Sequence, residues 1–589
     1  ERQLEEMCKE KIRVIGPNCL GIIDTFSNLN ASFAPATPYE GKIGFISQSG
    51  ALCTSILDWA MGRRIGFSRF ISMGNKMDLN ETHFLETLGE DDNTRAIVGY
   101  IESVVNGRRF MEVAERVSMV KPVILFKSGV SAEGTRAASS HTGALSGFDM
   151  AYERAFNKTG VIRARSIQDL FDWADVFATQ PLPRGNRIAI VTNAGGPGII
   201  ATDKASEEKL TIASLSSTTV SRLREVLPTA AAFYNPVDVL GDADSRRYRD
   251  AIEVLINAEE VDGLVIILSP QANTQIEETA KVISNYSYSS SKPIIASFMG
   301  EERVSAAYSI FRRSKTANIS FPDRAVTTMA VMANYSTWKA EERDAQYIRD
   351  IDEEQVNGFI ESSISKGRIK LVDFEARDVL SLCNIPVLPT VLTQTSEEAA
   401  IRAREMGFPV VIKIYSPEIL HKTDVGGVKT GLRSAEEVAK AYEEMVINVR
   451  RYLPRVNILG ITVQKMVLGG KEVITGFSRD PQFGPLVAFG LGGVYVEVLK
   501  DVNFALAPLS KKEIMKLVSG IRTFPLLTGV RGEKGKDLES LYDVIATIST
   551  AGMKFPEILE MEINPLIVMD KGEGVWAVDG RIILKGEQG

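Results

Sequence analysis

Histidine is almost missing from this sequence: 589 residues contain three, His83, His141 and His421, so any imidazole chemistry must come from one of them. Cysteine is scarce as well. Cys8, Cys19, Cys53 and Cys383 stand far apart, without the close pairs of a zinc site or the density of a disulfide framework, which suits a reducing cytosol. A basic excess is lacking too. With 68 Lys and Arg against 75 Asp and Glu the net charge is −7, which argues against the positive face of a nucleic-acid or anionic-membrane binder. No apolar run approaches the roughly 18–20 residues that cross a bilayer. These absences predict a cytoplasmic protein whose partners are small molecules, with no nucleic acid and no membrane.

What is present is size and alternation. At roughly 150 residues per domain the chain has room for about four. From Gly41 onward, short Ile/Val/Phe-rich runs alternate with helix-length amphipathic stretches, the pattern of parallel α/β sheets. The clearest predicted strands are Lys42–Ser47, Ala96–Ile101, Val123–Lys127, Arg187–Thr192, Leu264–Leu268 and Ile294–Phe298. The opening ERQLEEMCKEKIRVIGPNCLGIID reads as a helix tail, a strand and a turn, so residues 1–40 are expected to be the end of a preceding domain. The charged, apolar-poor stretch 339–372 predicts a helical linker to a third region at 373–589.

The first two-thirds repeat themselves. GKIGFISQSGALCTSILDWA (41–60) aligns without gaps on NRIAIVTNAGGPGIIATDKA (186–205), and KPVILFKSG (121–129) on KPIIASFMG (292–300) in the same order. This predicts two related α/β domains, 41–184 and 185–338. In each copy a strand runs into a helix through small residues, at Gln48, Ser49 and Gly50 and at Gly195, Gly196 and Gly198. Free N–H groups and the dipole at a helix N-terminus make such turns candidate phosphate sites. The copies then part: the first continues into VSAEGTRAASSHTGALSG with His141, the second into a segment without histidine. An imidazole on a loop at a strand's end is a competent phosphoryl nucleophile, and Glu102, closing GYIESV, is the carboxylate placed to orient it.

These motifs carry a resemblance. RVIGPNCLG (13–21), GFISQSGAL (44–52), SSHTGALSG (139–147) and TNAGGPGIIATD (192–203) resemble the NDP-forming acyl-CoA synthetases, relatives of succinyl-CoA synthetase. VVIKIYSPEILHKTDVGGV (410–428), KEVITGFSRDPQFGPLVAFGLGG (471–493) and EMEINPLIV (560–568) resemble the ATP-grasp part of the same family. The resemblance implies an α/β protein with two flavodoxin-like parallel-sheet domains plus a two-lobed ATP-grasp domain at 373–589, and residues 1–40 as the end of a CoA-binding Rossmann domain. It implies an acid–CoA ligase (ADP-forming) that interconverts a carboxylic acid, CoA and ATP with acyl-CoA, ADP and phosphate. In that likeness His141 is the phosphorylated residue, Glu102 orients it, and the two turns hold its phosphate.

Lys413, inside the strand pattern FPVVIKI, reads on its own residues as a fixed cation for nucleotide phosphates. The remaining roles are implied by the resemblance. Glu472 would contact ATP, Asn564 and Asp579 with Glu562 nearby would hold Mg²⁺, and His421 in EILHKTDVGG would relay the phosphoryl group between His141 and ADP. His83 reads as structural. Alternatives are a regulatory member of the same scaffold without catalysis and a ligase acting through acyl phosphate alone. A homodimer is the default assembly. The sequence does not single out the acid.

Overall fold

The computed structural model describes residues 2–8, 11–130, 149–314, 316–372, 374–416, 418–419, 422–492, 501–530 and 532–586. They fall into two units, Glu1–Glu342 and Arg343–Gly589.

The first unit holds two sheets. The first orders its strands β2-β1-β4-β3-β5-β6-β7, from β1 (Gly21–Asp24), β2 (Leu29–Ser32), β3 (Tyr39–Ser47), β4 (Gly66–Ser72), β5 (Ala96–Ile101), β6 (Val123–Lys127) and β7 (Ile162–Ala164). Strands β4 to β7 and β3 run parallel, while β1 and β2 are antiparallel at the edge, with Ile22 opposite Ile71. Residues 21–32, expected to close a preceding domain, are therefore the edge of this sheet. The second sheet orders β10-β8-β11-β12, all parallel, from β8 (Arg187–Thr192), β10 (Val237–Asp238), β11 (Gly263–Leu268) and β12 (Ile294–Phe298); β9 (Thr211–Ile212) also pairs with β8. Every residue of β11 is buried, as a continuous apolar run covered on both faces requires.

The order β10-β8-β11-β12 repeats β4-β3-β5-β6, so the sequence repeat is a repeat of topology. Registers agree in detail. Ser47 lies opposite Tyr100 and Thr192 opposite Ile267; Ile101 lies opposite Lys127 and Leu268 opposite Phe298. The two copies share one hydrophobic core. Phe45 and Ile190, from different sheets, join Phe171 of the helix Ile167–Thr179 and Met329 of the helix Pro322–Ala340 in a single buried cluster. Phe171 stacks on Phe45 with ring centres 6.1 Å apart and meets Trp59 tilted at 5.0 Å, and burying such a ring contributes about 1.5–3 kcal/mol. Both helices start where sequence dictates: Ser166 accepts from Asp169 N–H at 3.0 Å, and Pro322 occupies a first turn that loses no donor.

The second unit contains two antiparallel sheets. The smaller orders β14 (Thr390–Thr393), β17 (Gly460–Lys465), β15 (Val410–Tyr415) and β16 (Val428–Leu432). The larger orders β13 (Lys370–Val372), β23 (Gly580–Leu584), β21 (Ile558–Val568), β18 (Lys471–Asp480), β19 (Gly484–Leu491) and β20 (Val502–Leu506), with β22 (Val575–Ala577) on β21. The stretch expected as a linker is built into this unit. Ile351, Val356, Ile360 and Leu371 lie in its main buried cluster, and Tyr347 N–H donates to Leu509 O at 2.8 Å. Its few apolar residues sit at the right spacing to bury one face of the helix Glu353–Ser365, which a count of charges does not reveal.

Candidate active site

Both strand-to-helix turns are made by the same latch. At the end of β3, Ser47 Oγ accepts from Ser49 N–H at 3.1 Å and donates to Ser49 O at 3.0 Å. At the end of β8, Thr192 Oγ1 accepts from Ala194 N–H at 3.0 Å and donates to Ala194 O at 2.8 Å. The residue between them is an amide in both copies, and each amide reaches the backbone after the neighbouring strand. Gln48 Oε1 accepts from Glu102 N–H at 2.6 Å and Ser103 N–H at 3.0 Å. Asn193 Oδ1 accepts from Ser269 N–H at 2.8 Å while its Nδ2 donates to Ser269 O at 2.9 Å. Two backbone donors at Gln48 fix which amide atom is the oxygen. Its carbonyl is thus committed to the Glu102 loop.

The turns differ at the helix start. Ser49 caps the helix Gly50–Arg63, its Oγ accepting from Leu52 N–H at 3.2 Å. Ala194 precedes the helix Gly195–Glu207 and no side chain caps it. A Cβ built on Gly195 or Gly196 meets nothing within 4 Å, so the second turn offers open N–H groups to an anion. At Gly198, one turn in, a Cβ would instead come within 3.1 Å of Thr192 Cγ2.

By register, Glu102 in the first copy stands where Ser269 stands in the second, and Lys127 where Phe298 stands. Glu102 is half-buried beside Tyr100, whose phenol pKa is raised by burial and further by the Glu102 carboxylate. Lys127 is 4% exposed, with Nζ 4.6 Å from the Tyr152 ring centre and donating to Ser128 O. Burial lowers its pKa to about 8, against the opposing pull of Asp149 and Glu102. The loop after β5 is held along its length. Lys76 Nζ donates to Ser103 O at 2.6 Å and to Glu81 Oε2 at 2.9 Å; Glu81 Oε1 accepts from Val105 N–H at 2.7 Å; Tyr152 Oη accepts from Val104 N–H at 3.0 Å.

His141 lies outside the described residues, within 131–148, but both flanks of that segment meet the Glu102 loop. Ser128 N–H donates to Ile101 O at 3.0 Å on one side, and Tyr152, in the helix Asp149–Thr159, contacts Val104 on the other. His421 also lies outside the described residues. His83 is a helix-cap residue, its Nδ1 3.3 Å from Asn80 N, in keeping with a structural role. Sequence reasoning passed over Lys76, Glu81, Lys127 and Tyr152. The aligned pair KPVILFKSG and KPIIASFMG already set Lys127 against Phe298, and that mismatch was the available signal.

In the second unit Lys413, 9% exposed on β15, donates to both carboxylate oxygens of Asp579 at 2.7 and 2.8 Å. The presumed nucleotide cation and metal ligand are therefore paired. Asn564 N–H donates to Asp579 O at 3.1 Å, so the backbones of these two residues are paired on neighbouring chain segments. Glu562 is engaged otherwise, by Arg581 at 3.2 Å and by Asn564 Nδ2 at 3.3 Å. Glu472 is exposed at the start of β18. Among the described residues no group of three or more His, Cys, Asp or Glu is disposed to hold a metal unaided. Two hard oxygen donors do fit Mg²⁺, which often takes one or two protein oxygens with phosphates and water completing its shell. No helix among the described residues is long and apolar enough to cross a membrane.

Known proteins share this arrangement. Three family models match in succession: a succinyl-CoA ligase-like flavodoxin domain at 40–177, a ligase-CoA domain at 188–345 and an ATP-grasp domain at 362–584. The acetate–CoA ligase (ADP-forming) I of Archaeoglobus fulgidus is 40% identical over all of this chain and 84% of its own length. The 4-hydroxybutyrate–CoA ligase (ADP-forming) of Nitrosopumilus maritimus is 36% identical over 99% of this chain and 84% of its own. A solved acetyl-coenzyme A synthetase 1 of Ca. Korarchaeum cryptofilum, in complex with phosphate and ADP, superposes with a TM-score of 0.55 at 32% identity, covering 57% of this chain and 75% of that one.

Proposed function

The chain belongs to the ADP-forming acid–CoA ligase family, and we propose that it runs the interconversion of a carboxylic acid, CoA and ATP with acyl-CoA, ADP and phosphate through a phosphohistidine at His141. In the ATP-forming direction a phosphate oxygen attacks the acyl-CoA carbonyl and the CoA thiolate leaves, giving acyl phosphate. An imidazole nitrogen of His141 then attacks phosphorus, the bond to the acyl oxygen breaks and the carboxylate departs. Glu102 accepts a hydrogen bond from the N–H of the other ring nitrogen and so keeps the attacking one unprotonated and aimed. The uncapped N-terminus at Gly195–Gly196 and the turn at Ser49–Gly50 stabilise the phosphoryl oxygens with backbone N–H groups. His421 carries the group onward to ADP, where Lys413 and Glu472 bind the nucleotide.

The phosphates compete with Asp579 for Lys413, freeing that carboxylate to act with Asn564. Asn564 and Asp579 would hold Mg²⁺ together with the nucleotide, and the ion would supply charge neutralisation for the transferring phosphates. We assign no metal role to Glu562 beyond its neighbourhood, since Arg581 already engages it. A homodimer acting in the cytoplasm completes the reading, with free thiols at Cys8, Cys19, Cys53 and Cys383 suited to reducing conditions.

The observation that carries the proposal is the convergence of both flanks of 131–148 on the loop that begins with Glu102. Incubation with labelled ATP and Mg²⁺ is expected to give acid-labile, base-stable protein phosphate that His141→Ala abolishes. No label, or label unchanged in His141→Ala, refutes the route. His421→Ala is expected to keep labelling from acyl-CoA plus phosphate while losing it from ATP; equal loss or equal retention removes the relay. A panel of acetate, 4-hydroxybutyrate, branched and aryl acids, read by thioester formation, identifies the acid.

A further inference from the structure

The first copy of the repeat contains a buried ion pair that the phosphoryl chemistry above does not use. Lys76 and Glu81 have side chains only 5% and 0% exposed, and their side-chain hydrogen bonds go to each other and to the loop after β5. Their remaining hydrogen bonds go to the backbone immediately after Glu102: Lys76 to Ser103 O at 2.6 Å, Glu81 to Val105 N–H at 2.7 Å. Gln48 takes Glu102 N–H and Ser103 N–H, and Tyr152 takes Val104 N–H at 3.0 Å. The backbone N–H groups from Glu102 to Val105 thus all end on side chains that are themselves fixed.

The second copy shows that the fold does not need this. Where Ser269 replaces Glu102, the carbonyls of Pro270 and Gln271 are held by an exposed arginine, Arg303, at 2.7 and 3.2 Å. The position equivalent to Lys76 is Asp242, since Met73 N–H bonds Ser47 O as Val239 N–H bonds Thr192 O. Asp242 pairs at the surface with Arg247. A buried pair is costly to desolvate and is frequently no gain over apolar packing, so its presence only in the copy with the carboxylate calls for a reason other than stability.

We propose that Lys76 and Glu81 are positioning residues for phosphoryl transfer: their buried pair locks the Ser103–Val105 backbone and thereby fixes the Glu102 carboxylate, the group to which the orienting of His141 is assigned above. The inference rests on Glu102 orienting His141, and the test separates the two. Labelling by [³²P]phosphate is followed with whichever of acetyl-, propionyl- or 4-hydroxybutyryl-CoA the enzyme turns over fastest. Lys76→Met, Glu102→Gln and the double variant are compared with the parent, folding being checked by near-UV circular dichroism. Lys76→Met is expected to slow labelling by about tenfold or more with KM for acyl-CoA within about twofold, and to add less than about twofold in the Glu102→Gln background. Equal slowing in both backgrounds makes the pair merely structural, and unchanged labelling in folded Lys76→Met removes it altogether. Normal labelling in Glu102→Gln overturns instead the role given to Glu102. Should Lys76→Met not fold, Glu81→Gln, which keeps the shape and one acceptor for Val105 N–H, runs through the same cycle.

Discussion

Replacing Lys127 with methionine is expected to stabilise the first unit at neutral pH, and to lose that advantage in alkali. The Lys127 ammonium is 4% exposed and titrates near pH 8 in the folded protein, against 10.5 for an ordinary lysine. Its folded pKa is depressed, so between those values the unfolded chain binds more protons and the stability of the parent rises with pH. Below pH 8 the charge is present in both states and the whole penalty is felt. A depression of about 2.5 units at 1.36 kcal/mol each is about 3.4 kcal/mol. The desolvated cation over the Tyr152 ring, at 4.6 Å, gives back about 2 kcal/mol, leaving about 1.4 kcal/mol. Urea unfolding at pH 7 and pH 10 measures this, by fluorescence of Trp59, Trp173 and Trp338, three of the four tryptophans. Other titrating groups cancel in the difference between parent and Lys127→Met. The variant should be the more stable at pH 7, with the gap closing toward pH 10. A gap of one size at both pH values would refute the assignment of a strained buried cation.

The paired amide clamps make a matched comparison. Gln48→Leu and Asn193→Leu each strand buried backbone groups and should lower stability by about 1–3 kcal/mol in denaturant titrations, and Gln48→Leu should in addition slow labelling of His141 by freeing the Glu102 loop. Ala194→Ser gives the second helix the cap that Ser49 gives the first; the melting temperature should rise, by about 1 kcal/mol of stability, and KM for phosphate should increase several-fold as the N–H groups become occupied. Asp579→Asn releases Lys413 from its ion pair and weakens the proposed Mg²⁺ site. Steady-state rates should fall at fixed Mg²⁺ and recover partly at high Mg²⁺, and a rate independent of Mg²⁺ would remove Asp579 from the site.

Much of this was legible in the residues, for identifiable reasons. The strands of both parallel sheets are continuous apolar runs bounded by small polar turns, and buried parallel strands admit little else. The repeat could be aligned because the latch, the amide and the following glycine recur at one spacing. Other features depended on partners far along the chain. Nothing near Gln48 says that its carbonyl is taken by Glu102 and Ser103, 54 and 55 residues away. Lys413 looked like a lone cation because Asp579, 166 residues later, is what neutralises it. The stretch 339–372 looked like a tether because its charges outnumber its apolar residues, although four of those suffice to anchor it.

The core shared by the two copies bears on how this architecture can be taken apart. A break between 178 and 187, where the family matches change, would strip Phe177 from Tyr335, whose ring centre lies 5.5 Å away, and open the shared cluster, so a half expressed alone should aggregate. Recombination that exchanged one half against a distant relative would meet the same obstacle, because both halves must change together for their interlocking side chains to fit. The seam at which the polypeptide can be divided or rejoined with little disturbance is the one at 342–343, which makes the duplicated pair, not the single repeat, the portable module.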